Sequence, residues 1–228
     1  MNSPVTANVF GTIGAVLWSL QLLPQIWKNW RRHDSGSLSA IFFLSWAIAG
    51  VPLGVYNIVD DFNIALQVQP NILILLSLFT WSQCKHYGEG WGLKKIAVAF
   101  AAIALALGGV ETGLVFALRL ARSRGYKWPL TLMAIIAALL LAGGVLRHYV
   151  DMFRTGSDAG MSLKFAILDA SGDVASLLSV VFQLHLSILG LVIYGSELAI
   201  WLGLIGIVLY FRTANRKKSK DNDNTARV

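Results

Sequence analysis

Long apolar stretches alternate with short polar segments along almost the whole chain. Seven stretches are dominated by apolar side chains, and they cover approximately residues 7–28, 38–58, 64–84, 96–118, 129–149, 162–183 and 190–211. A helix of about 20 apolar residues is long enough to cross the hydrocarbon core of a bilayer. The pattern therefore predicts an all-α, polytopic membrane protein with seven transmembrane helices, and it leaves little chain for a soluble domain.

The composition supports this class. Of the 228 residues, 56% are hydrophobic and 14% are charged, whereas a soluble domain averages about 25% charged residues. The net charge of +7 does not indicate nucleic-acid binding, because most of the cations fall in alternate loops. Cytosolic loops of membrane proteins carry an excess of Lys and Arg. The distribution predicts an N-terminus on the luminal or external side and a C-terminus in the cytosol.

The chain lacks the residues that several types of catalysis and metal binding require. Cys84 is the only cysteine, so an intrachain disulfide and a cysteine-rich metal or redox site are excluded. The chain has no Gly-x-Ser-x-Gly elbow, no His-Glu-x-x-His motif and no phosphate-binding loop. We therefore expect no enzymatic activity, no cofactor and no metal.

An internal repeat appears when the chain is shifted by 123 residues against itself. Without a gap, nine residues between positions 13 and 51 are identical to their partners, including Arg31 with Arg154 and Phe42 with Phe165. The shift spans an odd number of helices between corresponding elements, so both copies enter the membrane from the same side. This predicts parallel repeats related by an axis along the membrane normal.

The repeat defines the expected domain organisation. Residues 1–88 form a first three-helix bundle, and residues 89–125 contain a linker helix. Residues 126–212 form a second three-helix bundle, and residues 213–228 form a disordered basic cytosolic tail. The tail is assigned by its composition, because it contains no apolar run.

Pro24 and Gln25 lie where the first membrane helix should end. A proline inside a helix removes one backbone hydrogen bond and bends the chain. In lipid, such a break is tolerated only where protein or water satisfies the freed backbone groups. We therefore predict a hinge at these two residues.

The second copy differs at the corresponding positions, which hold Arg147 and His148. Two glycines, Gly143 and Gly144, precede them. Glycines loosen a helix, although less sharply than proline does. The hinge of the second bundle is therefore assigned to this glycine pair.

Two carboxylates occur inside the sixth apolar stretch. Asp169 and Asp173 are four residues apart and share one helix face. Membrane carboxylates usually face a bundle interior or a wet cavity, and burial with a neighbouring like charge favours their protonated form. We predict that both residues couple transport to protons. The alternative is a helix that starts later and leaves Asp169 near an interface.

Three further polar residues are candidates with open alternatives. Asn57 ends the second stretch and either binds substrate or caps the helix, and Gln83 ends the third stretch. We predict that both contribute polar contacts to a substrate, although polar side chains between membrane helices often serve only packing. Glu111 lies in the linker helix, where it is either functional or paired with a neighbouring helix.

The segment Leu23–Arg32, followed by Ser37-Leu38-Ser39, resembles the first signature of the PQ-loop repeat family. That family includes cystinosin, the vacuolar and lysosomal cationic amino acid exporters and, more distantly, the SWEET proteins. Gly160-Met161-Ser162 and the following Asp169 resemble the second loop and the acidic helix after it. The resemblance implies a role in proton coupling for Asp169.

The sequence departs from this family at two places. The second Pro-Gln pair is absent, although it is a hinge in transporting members. The seventh stretch also lacks the membrane aspartate that the resemblance leads us to expect, and Glu197, near its start, is a poor substitute.

The resulting prediction is a proton-coupled exporter of an amino acid or a similar small solute from an acidic organelle, either the vacuole or lysosome or another endomembrane. The expected partners are the solute, protons and the lipid bilayer, without nucleic acid, and homo-oligomerisation stays open. The alternatives are a receptor or scaffold that does not transport and a pH-independent sugar uniporter.

Overall fold

The computed structural model describes residues 3–35, 38–156 and 163–225, and over these residues it contains helices and no strand. A π-helical turn, Cys84–Gly88, continues the third helix. The predicted second loop, Gly160-Met161-Ser162, and Ser37 of the first lie outside the described residues. The seven long helices are α1 (Pro4–Arg32), α2 (Ala40–Val59), α3 (Ile64–Gln83), α4 (Leu93–Ser123), α5 (Trp128–Thr155), α6 (Leu163–Val181) and α7 (Ile188–Thr225).

Six of these helices are long and apolar enough to cross a membrane; the exception within the described part of the chain is α6. It has 19 residues and carries Lys164, Asp169 and Asp173, which reduce its apolar character. It nevertheless packs between α1 and α7. The predicted all-α, polytopic membrane architecture is thus confirmed, and the polar helix lies inside it.

Polar side chains define where the first three helices begin. The Ser3 hydroxyl accepts a hydrogen bond from the Thr6 amide at 3.3 Å, and Asn63 Oδ1 accepts one from the Leu66 amide at 3.2 Å. Ser39 caps α2 in the same way. Such caps satisfy amides that have no partner within the helix.

Six helices form a closed ring. Going round it, α1 contacts α3, α3 contacts α2, α2 contacts α5, α5 contacts α7, α7 contacts α6, and α6 returns to α1. The order α1–α3–α2 in the first half thus corresponds to α5–α7–α6 in the second. The two junctions, α1 with α6 and α2 with α5, are also equivalent. These are the neighbour relations of two parallel repeats.

The linker helix α4 lies outside this ring, against α2 and α3. Near its C-terminus, Arg122 donates to the Val59 carbonyl and, at 3.2 Å, to the Asp61 carboxylate. Near its middle, the buried Glu111 accepts a hydrogen bond from Asn71 at 3.2 Å. This contact matches the alternative that paired Glu111 with a neighbouring helix.

The C-terminus differs from the prediction. Helix α7 continues to Thr225, so residues 213–225 are helical where a disordered tail was expected. After Gly206 the sequence contains no glycine and no proline, and those residues are the strongest helix breakers. The polar composition of this segment therefore did not indicate the position at which the helix ends.

Helices α1, α3 and α5 finish at the same end of the ring. This end is called the basic end. Lys28, Arg31 and Arg32 of α1 lie there. The opposite end of the ring, at which α2 and α6 finish, is called the far end.

Candidate functional site

Three carboxyl groups meet between α6 and α7. Asp169, Asp173 and Glu197 each place a carboxylate oxygen within 4.8 Å of the others. Their side chains are 1%, 0% and 3% exposed. The two aspartates share a helix face as the sequence predicted, and α7 brings the glutamate to that face.

The cluster has no buried cationic partner. Among the described side chains, no Lys, Arg or His is buried. Two unit charges 4 Å apart interact by about 4 kcal/mol at an effective dielectric constant of 20, so three ionised carboxylates would repel one another strongly. The cluster therefore requires bound positive charge, supplied by protons or by a cationic ligand.

The cluster borders a small cavity at the centre of the ring, too narrow to admit a water molecule. Each of the six ring helices contributes at least one side chain to it. The cavity therefore lies between all six helices of the ring. The lining residues are Trp18, Gln21, Trp46, Leu73, Leu141, Asp169 and Glu197.

The cavity lies at the junction of the two halves. Under the shift of 123 residues, Trp46 corresponds to Asp169 and Trp18 corresponds to Leu141, and both members of each pair line the cavity. Two positions that correspond in the two repeats can lie side by side only if both are near the axis that relates the repeats. Transporters built from repeats bind substrates and coupling ions at such an interface.

Several buried polar atoms here have no hydrogen-bond partner among the described residues. They include both amide atoms of Gln21 and the indole N–H groups of Trp18, Trp46 and Trp201. Gln21 and Trp201 face the Asp169 carboxyl without reaching hydrogen-bond geometry. A buried polar group left unpaired costs about 1–3 kcal/mol, so this concentration indicates a site that is completed by a ligand.

Hydrogen bonds between the halves close the far end. Asn57 donates to the Tyr194 hydroxyl at 3.0 Å and to the Leu66 carbonyl at 2.7 Å. That carbonyl is free because Pro70, four residues later, has no N–H to donate. Both N–H groups of Asn57 are used here, whereas its Oδ1 has no hydrogen-bond partner among the described residues, and substrate binding by Asn57 stays a prediction. Three further pairs cross between the halves: Tyr56 with Ser187, Asn63 with Ser179, and Gln69 with Ser176.

Aromatic rings close the cavity toward the basic end. The rings of Trp46 and Phe165 are nearly parallel, and their centroids are 6.2 Å apart. The ring centroids of Phe165 and Trp201 are 5.7 Å apart. Gly144 lies directly against the Trp46 indole, where a Cβ atom would collide with the ring, whereas Gly143 has open space around it. Helix α5 is continuous through both glycines. Close packing against Trp46 accounts for the glycine at position 144.

Beyond the aromatic rings, a polar network joins α1 to α3 at the basic end. Gln25 donates to Asn29 at 2.7 Å, Asn29 donates to Gln83 at 3.0 Å, and Gln83 donates to the Ile26 carbonyl at 2.8 Å. Helix α1 is continuous across Pro24. Gln83 lies outside the lining of the central cavity, and its predicted contact with a substrate stays a prediction.

Glu197 is the site residue that the sequence undervalued. Helix α7 begins at Ile188, so Glu197 lies about 14 Å along the helix axis at 1.5 Å per residue. Half of a hydrocarbon core of about 30 Å is close to this value. The residue was judged a poor substitute because it was placed near the start of its stretch. The helical rise, applied to the same sequence, places it about half a core thickness from the start of α7.

The fold and the site define an integral, multi-pass helical membrane protein whose two similar halves enclose a closed acidic cavity. The sequence profile of the PQ loop repeat matches residues 6–66. The chain is 36% identical over 217 residues to an uncharacterized protein of Schizosaccharomyces pombe, covering 95% of this chain and 76% of that protein. It is 32% identical over 206 residues to an uncharacterized membrane protein of Saccharomyces cerevisiae, covering 90% and 66% respectively.

The chain belongs to the PQ-loop repeat family. The resemblance seen in Leu23–Arg32 is thereby confirmed. At the level of the family, membership supports a membrane transporter-like role.

Replacing Asn57 by alanine should destabilise the protein by about 1–3 kcal/mol, because the buried Leu66 carbonyl and Tyr194 hydroxyl would lose their donor. Thermal unfolding of the purified protein in detergent measures this change. The matched control is Asn8→Ala, since Asn8 is exposed on α1. Equal unfolding temperatures for the two variants would contradict the assigned role of Asn57.

Proposed function

We propose that this chain is a proton-coupled carrier that exports an amino acid or a similar small solute from an acidic organelle, such as the vacuole or lysosome. The observation that carries the proposal is the buried cluster of Asp169, Asp173 and Glu197 at the junction of two similar halves. Carboxyl groups inside a membrane protein commonly mark proton relays and substrate paths. Family membership supports transport in general, and the cluster adds a group that can bind and release protons.

The closed cavity suggests how transport would proceed. Opening toward the far end would break the hydrogen bonds between the halves, including that of Asn57 with Tyr194. Opening toward the basic end would separate Trp46 from Phe165. Rocking of one half against the other exposes a fixed central site to each side in turn. The hinges predicted at Pro24 and Gly143 would serve this movement.

Proton binding would couple to these openings through Asp169. When the far end opens to an acidic lumen, water and protons reach the cluster, and the carboxyl groups take up protons with the solute. When the basic end opens to the neutral cytosol, the carboxyl releases its proton. This direction assumes that the basic end faces the cytosol, which is the orientation favoured by the distribution of Lys and Arg.

The first test is solute-induced current with the protein routed to the plasma membrane, so that the external medium takes the place of the lumen. Amino acids, amines and sugars are applied at external pH 5 and pH 7.5. We expect an inward current that is larger at pH 5, because a higher proton concentration loads the cluster. In Asp169→Asn, which cannot exchange a proton at this position, the pH-dependent part of the current should disappear.

Two results would count against the proposal. If the Asp169→Asn variant transports as well as the wild type at both pH values, Asp169 does not couple transport to protons. Absence of any current or tracer flux at confirmed surface expression would favour the receptor or scaffold. Tracer flux of a sugar with no dependence on pH would instead favour a uniporter.

A further inference from the structure

We propose that the central cavity selects an organic cation that carries no carboxylate, such as a quaternary ammonium or a protonated amine. The inference rests on the proposed function in one respect: it takes the central cavity as the solute site. The proposed function left open an amino acid or a similar small solute, and the charge and the aromatic lining of the cavity favour a solute of the second kind. Because the cavity in its closed state is too narrow for a water molecule, the solute would bind when one end opens.

The charge of the site favours a cation. Asp169, Asp173 and Glu197 are nine-tenths or more buried and lie within 4.8 Å of one another. Three carboxyl groups have the capacity to hold one proton and one monovalent cation at the same time. Selection of a cationic solute is therefore compatible with coupling to protons.

The aromatic lining favours an organic cation over a bare metal ion. Trp18 and Trp46 line the cavity, and Trp201 faces the Asp169 carboxyl. Indole faces attract ammonium groups, and cages of such rings recognise quaternary ammonium ligands. A hard divalent ion would instead need about six oxygen ligands, and the remaining wall of the cavity is formed by Leu73 and Leu141.

A second, independent feature points to a ligand. Gln21 is 3% exposed and lines the cavity, and both of its side-chain amide atoms lack a partner among the described residues. The amide oxygen can accept a hydrogen bond from a hydroxyl or a protonated amine of the solute, and the amide N–H can donate one to a hydroxyl. The Asp169 carboxyl faces this amide without reaching hydrogen-bond geometry, so the amide is available to a polar group of the solute.

The absence of buried basic side chains argues against a solute carboxylate. No Lys, Arg or His is buried among the described side chains. The carboxylate of an amino acid would therefore enter an anionic, poorly hydrated cavity without a cationic partner, which is strongly unfavourable. An amine without a carboxylate avoids this penalty.

Three probes of nearly equal size separate these possibilities. Choline is a quaternary ammonium, 3,3-dimethylbutan-1-ol is its neutral isostere, and glycine betaine carries a carboxylate in place of the hydroxymethyl group. Equilibrium binding of radiolabelled choline to the purified full-length protein is measured at pH 7.5 with each unlabelled compound as competitor. We expect the alcohol and betaine to compete at least tenfold more weakly than choline.

Variants of one ring give a second readout. Trp18→Leu should weaken choline binding about tenfold, whereas Trp18→Phe, which keeps an aromatic ring in the cavity wall, should stay within about threefold. The matched control is Trp27→Leu, because Trp27 is 60% exposed, and it should bind as the wild type does. Size-exclusion chromatography of each variant establishes that the protein is folded.

Each other outcome overturns the proposal. Displacement by betaine or lysine as efficient as that by choline would assign an amino acid, and displacement by magnesium chloride alone would assign a metal site. No specific choline binding would exclude the class. These results can be distinguished from those on transport. Choline binding without flux would support the cation site and contradict the proposed carrier function. Amino acid flux without choline binding would support the carrier function and contradict the cation site.

Discussion

Replacing Glu197 by glutamine is expected to reduce proton-driven solute flux tenfold or more, which corresponds to about 1.4 kcal/mol or more. Glutamine keeps the size of the side chain and cannot bind or release a proton. It also removes one of the three carboxyl groups that lie within 4.8 Å of one another. The remaining two aspartates repel each other less, so the proton affinity of the whole cluster changes along with its capacity.

The matched control for this experiment is Glu111→Gln. Glu111 is also buried in a membrane helix, but it lies on α4 outside the ring and accepts its hydrogen bond from Asn71. A glutamine oxygen can accept the same bond, so flux should remain within about twofold of the wild type. Tracer uptake at pH 5 and pH 7.5, normalised to surface expression, gives the comparison. Equal losses in the two variants would show that burial of a carboxyl, rather than its place in the cluster, matters.

Replacing Gly144 by alanine is expected to destabilise the protein by about 1–3 kcal/mol, because the added methyl group would collide with the buried Trp46 indole. The indole has little room to move, since Trp46 also packs against Phe42 and Phe165. In a protein of this size, each kcal/mol shifts the unfolding midpoint by about 2–4 °C. Thermal unfolding in detergent measures the shift.

The adjacent Gly143 supplies the control, because nothing lies near the position of an added methyl group there. Gly143→Ala should leave stability unchanged or raise it by up to about 1 kcal/mol through higher helix propensity. The pair also tests the predicted hinge. If both glycines act as a hinge, both variants should slow transport; if Gly144 acts by packing alone, Gly143→Ala should transport normally. Equal stability of the two variants would refute the packing role.

The local pattern of the sequence was sufficient for the elements. Apolar runs predicted all the long helices, and a spacing of four residues placed Asp169 and Asp173 on one face of α6. The signature around Pro24 and Gln25 indicated the family. Each of these features depends on a single helix and its environment, and a periodic apolar pattern encodes that environment directly.

The contacts of the predicted polar residues depend on neighbouring helices. Asn57, which was predicted to bind substrate, directs its N–H groups to Leu66 and Tyr194, and its role in binding stays a prediction. The need for a donor arises from Pro70, thirteen residues later in the chain. Gln83 is likewise joined to α1 at the basic end. Neither partner can be recognised from the residues adjacent in sequence.

By itself, the sequence determined that the chain is an all-helical membrane protein of the PQ-loop repeat family and that α6 carries two carboxylates. Only the tertiary structure decided that Glu197 joins them, and that Trp18, Gln21 and Trp46 line the same cavity. These residues come from α1, α2, α6 and α7, so their meeting depends on the order of helices in the ring. That order is set by packing between helices, which the apolar periodicity of a single helix does not specify.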